Sequence, residues 1–139
     1  MCGMKRLTLL LLVALTTLMA QAQKAEAAKR EGPWIELVNY KWNVGKFSKA
    51  KTPCRGAVYP VKNVGNAPLI IEKVNPHCGC LRVDWTRGPI APGATGYVKV
   101  VYDGRDQLPH YFNKQAVINT NIPYPSQFVY LTLEGEMTE

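Results

Sequence analysis

Residues 81–102 read LRVDWTRGPIAPGATGYVKVVY, and their pattern decides the fold. Leu81, Val83 and Trp85 alternate with Arg82 and Asp84, the period-2 mark of a strand with one buried and one solvated face. Gly88-Pro89-Ile90-Ala91-Pro92-Gly93 then breaks the chain with turn residues, which set φ or remove a donor where a strand needs neither. Beyond it, Val98, Val100 and Tyr102 fall on one face of a second strand over 97–102. No helical periodicity survives two turns in between, so the unit is strand, turn, strand.

The same rhythm runs outward in both directions. Strands are expected at Trp34–Val38, Tyr40–Phe47 and Gly56–Lys62 on one side. Pro60 in the third of these implies a backbone position with no ladder partner. Asn63-Val64-Gly65-Asn66-Ala67-Pro68 is a turn by composition, and Leu69–Val74 is a strand that Asn75-Pro76 ends. Phe112–Ile118 and Phe128–Leu133 complete the set. The spacing predicts an all-β, immunoglobulin-like antiparallel β-sandwich of about seven strands, one domain over residues 33–139.

The start of the chain has a different character. Lys5 and Arg6 precede an uncharged run from Leu7 to Met19, and Ala20-Gln21-Ala22 supplies small residues for cleavage. Residues 1–22 therefore read as a signal peptide, too short in its apolar part to span a bilayer, and 23–32 as a polar spacer. The only cysteine in the leader, Cys2, precedes the apolar run, so the exported protein is expected in the periplasm or secreted, without a lipid anchor. Met4 is an alternative start. Loss of Lys5 and Arg6 leaves 15 basic and 10 acidic side chains. Six cations and no acid lie between Glu36 and Glu72: Lys41, Lys46, Lys49, Lys51, Arg55 and Lys62. Export argues against nucleic acid as their partner and leaves a protein, an anionic glycan or a membrane surface.

Taken in order, Asn63-x-Gly65-x-Ala67-Pro68-Leu69, Cys78-Gly79-Cys80, Pro89-Ile90-Ala91-Pro92-Gly93, Val100-x-Tyr102, Phe112-x-Lys114 and Thr120-Asn121 resemble the bacterial domain of unknown function 1573 family. That family is similar to the Hydin and major-sperm-protein group of immunoglobulin-like domains and is frequent in exported proteins of Bacteroidetes. The resemblance covers about residues 35–136. It implies a seven-stranded sandwich and no known reaction. His110 and Cys54 depart from the family pattern.

Chemistry, if there is any, is expected at Cys54, Cys78, Cys80, His77 and His110. Alternating strand directions bring the connections that hold them to one pole of a sandwich, with Asn63–Pro68 and Pro89–Gly93 together at the other. Three cysteines beyond the leader cannot all pair within one chain. The first expectation is a disulfide from Cys54 to Cys78 or Cys80, closing a loop of roughly 25 residues and adding roughly 3 kcal/mol. The second is a soft-metal site for Cu(I) or Zn(II), built from Cys78 and Cys80 with Cys54 or one of the histidines. The third is a redox-active Cys78-Gly79-Cys80 pair, Gly79 permitting the tight turn, with Lys51 and Arg55 lowering the thiol pKa at Cys54. Inert buried cysteine is the fourth. Glu72, Asp84, Asp103 and Asp106 read as solvated acids at strand edges, and neither Ser48 nor Ser126 stands in a nucleophile motif. The sequence thus favours a noncatalytic exported binding or structural module with no cofactor over a periplasmic metal-handling or thiol-redox protein, and leaves the oligomeric state open.

Overall fold

The computed structural model describes residues 31–139; the leader and most of the spacer lie outside them. Eight strands follow one another: β1 (Ile35–Leu37), β2 (Lys41–Ser48), β3 (Cys54–Asn63), β4 (Ile71–Pro76), β5 (Leu81–Trp85), β6 (Thr95–Asp103), β7 (Tyr111–Thr120) and β8 (Phe128–Thr138). One sheet has the order β1-β3-β6-β5 and the other β2-β8-β7-β4. This is the two-sheet immunoglobulin arrangement, ABED against CFG. Eight strands arise where about seven are expected because the first is split between the sheets. β1 runs antiparallel to β3, with Ile35 opposite Asn63. After Val38–Tyr40 the chain crosses over, and β2 runs parallel to β8, with Lys41 opposite Thr132. A register shift between Asn43 and Lys46 interrupts that ladder. There Gly45 takes a φ of 74°, a conformation that favours glycine, and its N–H donates to Asn43 Oδ1 at 2.7 Å.

The split also accommodates Pro60. Within β3, odd-numbered residues bond to the β6 side, as the Asn63 N–H to Ala94 O bond shows, so even-numbered ones face β1. β1 pairs only with Val61–Asn63, and Pro60 lies just past its end. The missing N–H therefore faces the gap left where the chain changes sheet, and no ladder bond is lost.

Inward residues of both sheets form one core. Tyr102 of β6 stacks on Phe112 of β7, ring centroids 3.9 Å apart, and Phe112 meets Phe47 of β2 edge-on. Two polar tips bridge the sheets: Tyr59 Oη donates to Thr132 O at 2.7 Å, and Trp85 Nε1 donates to Ile71 O at 3.2 Å. Tyr102 differs from both. It is fully buried, and its hydroxyl has no hydrogen-bond partner among the described residues. A buried hydroxyl without a partner gives up its hydration for nothing. Tyr102→Phe should therefore leave the melting temperature unchanged or raise it, and thermal unfolding monitored by circular dichroism would show the opposite if the hydroxyl contributed.

The ten-residue β3 separates two poles by about 30 Å. At one, the turn after β3 and the turn before β6 lock together, as expected. Leu69 and Ile90 form an isolated antiparallel bridge, and Gly93 N–H donates to Asn63 O. The fully buried Asn63 side chain ties the pole into one piece. Its amide donates to Ala67 O and Ile90 O at 2.8 and 2.9 Å, while its oxygen accepts from Gly65 and Trp34 N–H at 2.9 and 3.4 Å. Gly65 lies against the backbone of Gly32–Trp34 so closely that a Cβ there would meet Gly32 O. The motif Asn63-x-Gly65 is thus a structural clasp.

Candidate functional site at the cysteine pole and the outer sheet face

At the other pole, Cys54 opens β3, Cys78 and Cys80 fill the turn before β5, and His110 precedes β7. The topology does gather them at one pole, but it leaves Cys54 out of bonding reach of the other two cysteines. Cys54 is paired with Asp103 of β6, and Asp103 N–H donates to Cys80 O on the opposite side. β6 therefore runs between Cys54 and Cys80, placing them two strand spacings, about 10 Å, apart. A disulfide needs Cα atoms within about 7 Å. The expected bond from Cys54 to Cys78 or Cys80 is accordingly not formed. Cys78 and Cys80 are bonded to each other, with Cα atoms 5.1 Å apart, and Cys54 is a free, exposed thiol. A turn closed by Leu81 N–H to Cys78 O brings the pair together. Gly79 has open space where a Cβ would go and a φ outside the left-handed region, so the turn does not depend on its being glycine.

The soft-metal set fails to assemble too. No group of three or more His, Cys, Asp or Glu able to hold a metal ion exists among the described residues. The reason is geometric: Cys78 and Cys80 consume each other, His110 Nδ1 bonds Leu108 O, and its ring packs edge-on against Tyr102. Nor is Cys54 an activated thiol. Lys51 and Arg55 do not govern it; the Arg55 guanidinium lies over the Phe47 ring, 5.9 Å from its centroid. Burial, followed by the hydrogen bond from Sγ to Asp103 Oδ1 at 3.5 Å, pushes the Cys54 thiol pKa up. Asp103, expected as a solvated acid, is instead a hub. Arg105 donates to both its oxygens, and Arg82 donates to Oδ2 from Nε with an Nη 2.8 Å from the same oxygen, holding its carboxyl well below the usual range. We expect native protein to give one thiol per chain with a thiol reagent and two more only after reduction. Cys54→Ser should shift the melting temperature by no more than a surface substitution does, within about 0.5 kcal/mol.

A second concentration of side chains lies on the solvent face of the β2-β8-β7-β4 sheet. Glu134 accepts from Lys41 and Tyr111, both at 2.8 Å, from Asn113 at 3.2 Å and from Asn43 at 3.3 Å. Lys41 first, then Tyr111, lowers its pKa. Next to it Lys46 pairs with Glu136 at 3.0 Å. Two of the six cations of the acid-free basic stretch, Lys41 and Lys46, are thereby ion-paired rather than presented as a cationic patch. Towards the far end of the same face, Phe128 and Tyr130 are 49% and 56% exposed, Tyr130 stands opposite the nearly buried Val117, and Tyr124 in the β7–β8 loop is 85% exposed. Sequence reading ends the last strand at Leu133, because Glu134-Gly135-Glu136 has no apolar alternation. It therefore misses Glu134, on which four donors from the two flanking strands, β2 and β7, converge at the sheet surface.

The two depressed carboxyls fix the sign of the acid response. A carboxyl whose folded pKa is lowered contributes stability above its unfolded pKa, about 3.9 for Asp and 4.3 for Glu, and loses it as pH falls through the folded value. Stability should fall steadily below about pH 4. Asp103→Asn and Glu134→Gln should each flatten that limb, as followed by melting temperature against pH.

One groove adjoins the disulfide. It has a volume of about 300 Å³ and is lined by His77, Cys78, Asn113, Lys114 and Gln115.

Comparison with known proteins agrees with this architecture. No curated protein sequence matches the chain. Among solved structures it is similar to a protein of unknown function from Porphyromonas gingivalis W83, at 18% identity and a TM-score of 0.65, covering 76% of this chain. The chain spans 47% of that protein's length. It is also similar to the ASH/PapD-like domain 7 of human CEP192, at 10% identity and a TM-score of 0.56, covering 76% of this chain and 85% of that domain. The secreted serine protease VesC of Vibrio cholerae matches at 15% identity and a TM-score of 0.51, over 78% of this chain and 24% of that one. At such identities the likeness is one of fold. A family model described as a protein of unknown function, DUF1573, matches residues 35–137, nearly all of the described structure, and the chain belongs to that family.

Proposed function

We propose that this domain is a noncatalytic module, exported from the cell that makes it, which binds another protein through the outer face of its β2-β8-β7-β4 sheet. The observation that carries the reading is the aromatic strip formed by Phe128 and Tyr130, with Tyr124 also exposed in the loop that leads into β8. Clustered exposed aromatics mark interaction sites more often than bare surface, because they bury a large area with few rotatable bonds. The charges on this face are paired internally, Lys41 with Glu134 and Lys46 with Glu136, which suits a protein surface better than a polyanion. A noncatalytic role is supported by where the candidate nucleophiles go. Ser48 Oγ donates to Glu139 O, and the Cys54 thiol donates to Asp103, a carboxylate that Arg105 and Arg82 hold as a weak base.

The test is site-specific photocrosslinking in the producing cells, with benzoylphenylalanine at position 130 or at position 99 on the outer face of the other sheet. A discrete protein adduct from 130, absent from 99 and lost on Phe128→Ser, is expected. No adduct from 130, or the same adducts from both positions, overturns the reading. Intact mass of protein recovered outside the cytoplasm checks export and cleavage after Ala22.

A further inference from the structure

We propose that the open edge of β7 beside the disulfide takes an extended peptide as an added strand, and that Lys114 and His77 select an acidic side chain in it. This rests on the protein-binding reading above and names a second contact on the same sheet.

β4 covers only part of β7. Their ladder ends with Pro76 opposite Ala116, and one further bond runs from His77 N–H to Gln115 O. In an inner strand each residue points both main-chain groups to one neighbour, and alternate residues point to opposite neighbours. Gln115 bonds towards β4, whereas Thr120 N–H bonds towards the β8 side, to Gln127 O. Odd-numbered residues of β7 therefore face β4. Beyond Gln115 the odd positions are Asn113 and Tyr111, and their N–H and C=O groups project where β4 has already turned away at Cys78. Such an edge is a ready template for another strand.

The groove at this edge supplies the selectivity. Lys114 stands opposite Leu133, a core residue, so its side chain leaves from the inner face of the sheet and lines the groove with His77. No ion pair forms at Lys114 among the described residues, and no carboxylate lines the groove. Glu134, the acid across from Asn113, is occupied by Lys41. A cation at a concave edge with free main-chain groups complements an extended segment carrying Asp or Glu. The Asn113 side chain leaves room for it, being turned to Glu134 on the neighbouring strand.

The experiment begins with selection of random nonapeptides on the intact domain. A selected peptide is then used as the probe in amide hydrogen exchange. Enriched sequences should be β-forming with Asp or Glu at one fixed position. The probe should slow exchange at Asn113 and Tyr111 in particular. Lys114→Gln should weaken binding about tenfold and Lys114→Glu further, with His77→Ala intermediate, each variant checked for an unchanged melting temperature. Peptides without a fixed acidic position, or protection that spares Asn113 and Tyr111, overturn the proposal. So does protection that grows with protein concentration alone, which would mean a second copy occupies the edge. Peptides that protect β8 around Tyr130 instead would sink this inference while leaving the module reading intact; an edge that binds while position 130 gives no adduct would do the reverse.

Discussion

Asn63→Ala is expected to lower the free energy of unfolding by about 3 kcal/mol, since each orphaned buried polar group costs about 1–3 kcal/mol. The side chain serves four backbone groups from three segments: Trp34 before β1, Gly65 and Ala67 in the turn after β3, and Ile90 before β6. Ile90 O keeps a second donor, Leu69 N–H, so Gly65 N–H and Ala67 O carry most of the loss. Water cannot readily replace the side chain at a position with no solvent exposure. Asn63→Asp should be no better, because it removes the two donors and buries a charge. Urea unfolding should show a lower midpoint with an unchanged slope. A midpoint within error of wild type would mean that the turns hold each other without the clasp.

Phe112→Ala should cost about 3–5 kcal/mol, the range for emptying a fully packed aromatic site. Phe112 joins the two sheets at the cysteine pole, stacked on Tyr102 and edge-on to Phe47. Its neighbours come from different strands and cannot all relax into the space. Domains of this size are stable by only about 5–15 kcal/mol, so a large fraction of that margin would go. Phe112→Leu, which keeps most of the volume, should lose less than half as much. The same urea titration checks both, and equal losses for Ala and Leu would point to the stacking geometry rather than volume.

The two sites were legible to different degrees. Turn composition located the pole at Asn63 and Pro89, because Asn, Gly and Pro act on the backbone of their own segment. Strand alternation gave most of the elements for the same local reason. The gathering of Cys54, Cys78 and Cys80 at one pole also followed from alternating strand direction. Their pairing did not. In the ABED order the strand that Cys54 opens and the strand that follows Cys80 are never neighbours, since β6 runs between them. That order was the signal that would have excluded the bond. Asp103 and Glu134 gave no local sign of their partners, which come from other strands or, for Arg105, from the turn that follows.

By itself the sequence determined the all-β class, the positions of most strands and turns, the family, and the division into two poles. Each of these rests on periodicity, backbone chemistry or motif order within short segments. Only the tertiary structure decided that the first strand divides between the sheets, that Cys78 closes on Cys80, that Cys54 stays unpaired beside Asp103, and that β7 keeps an uncovered edge. These depend on which strands become neighbours and where one stops short of another. Both are set by long-range packing and by register between strands far apart in the chain.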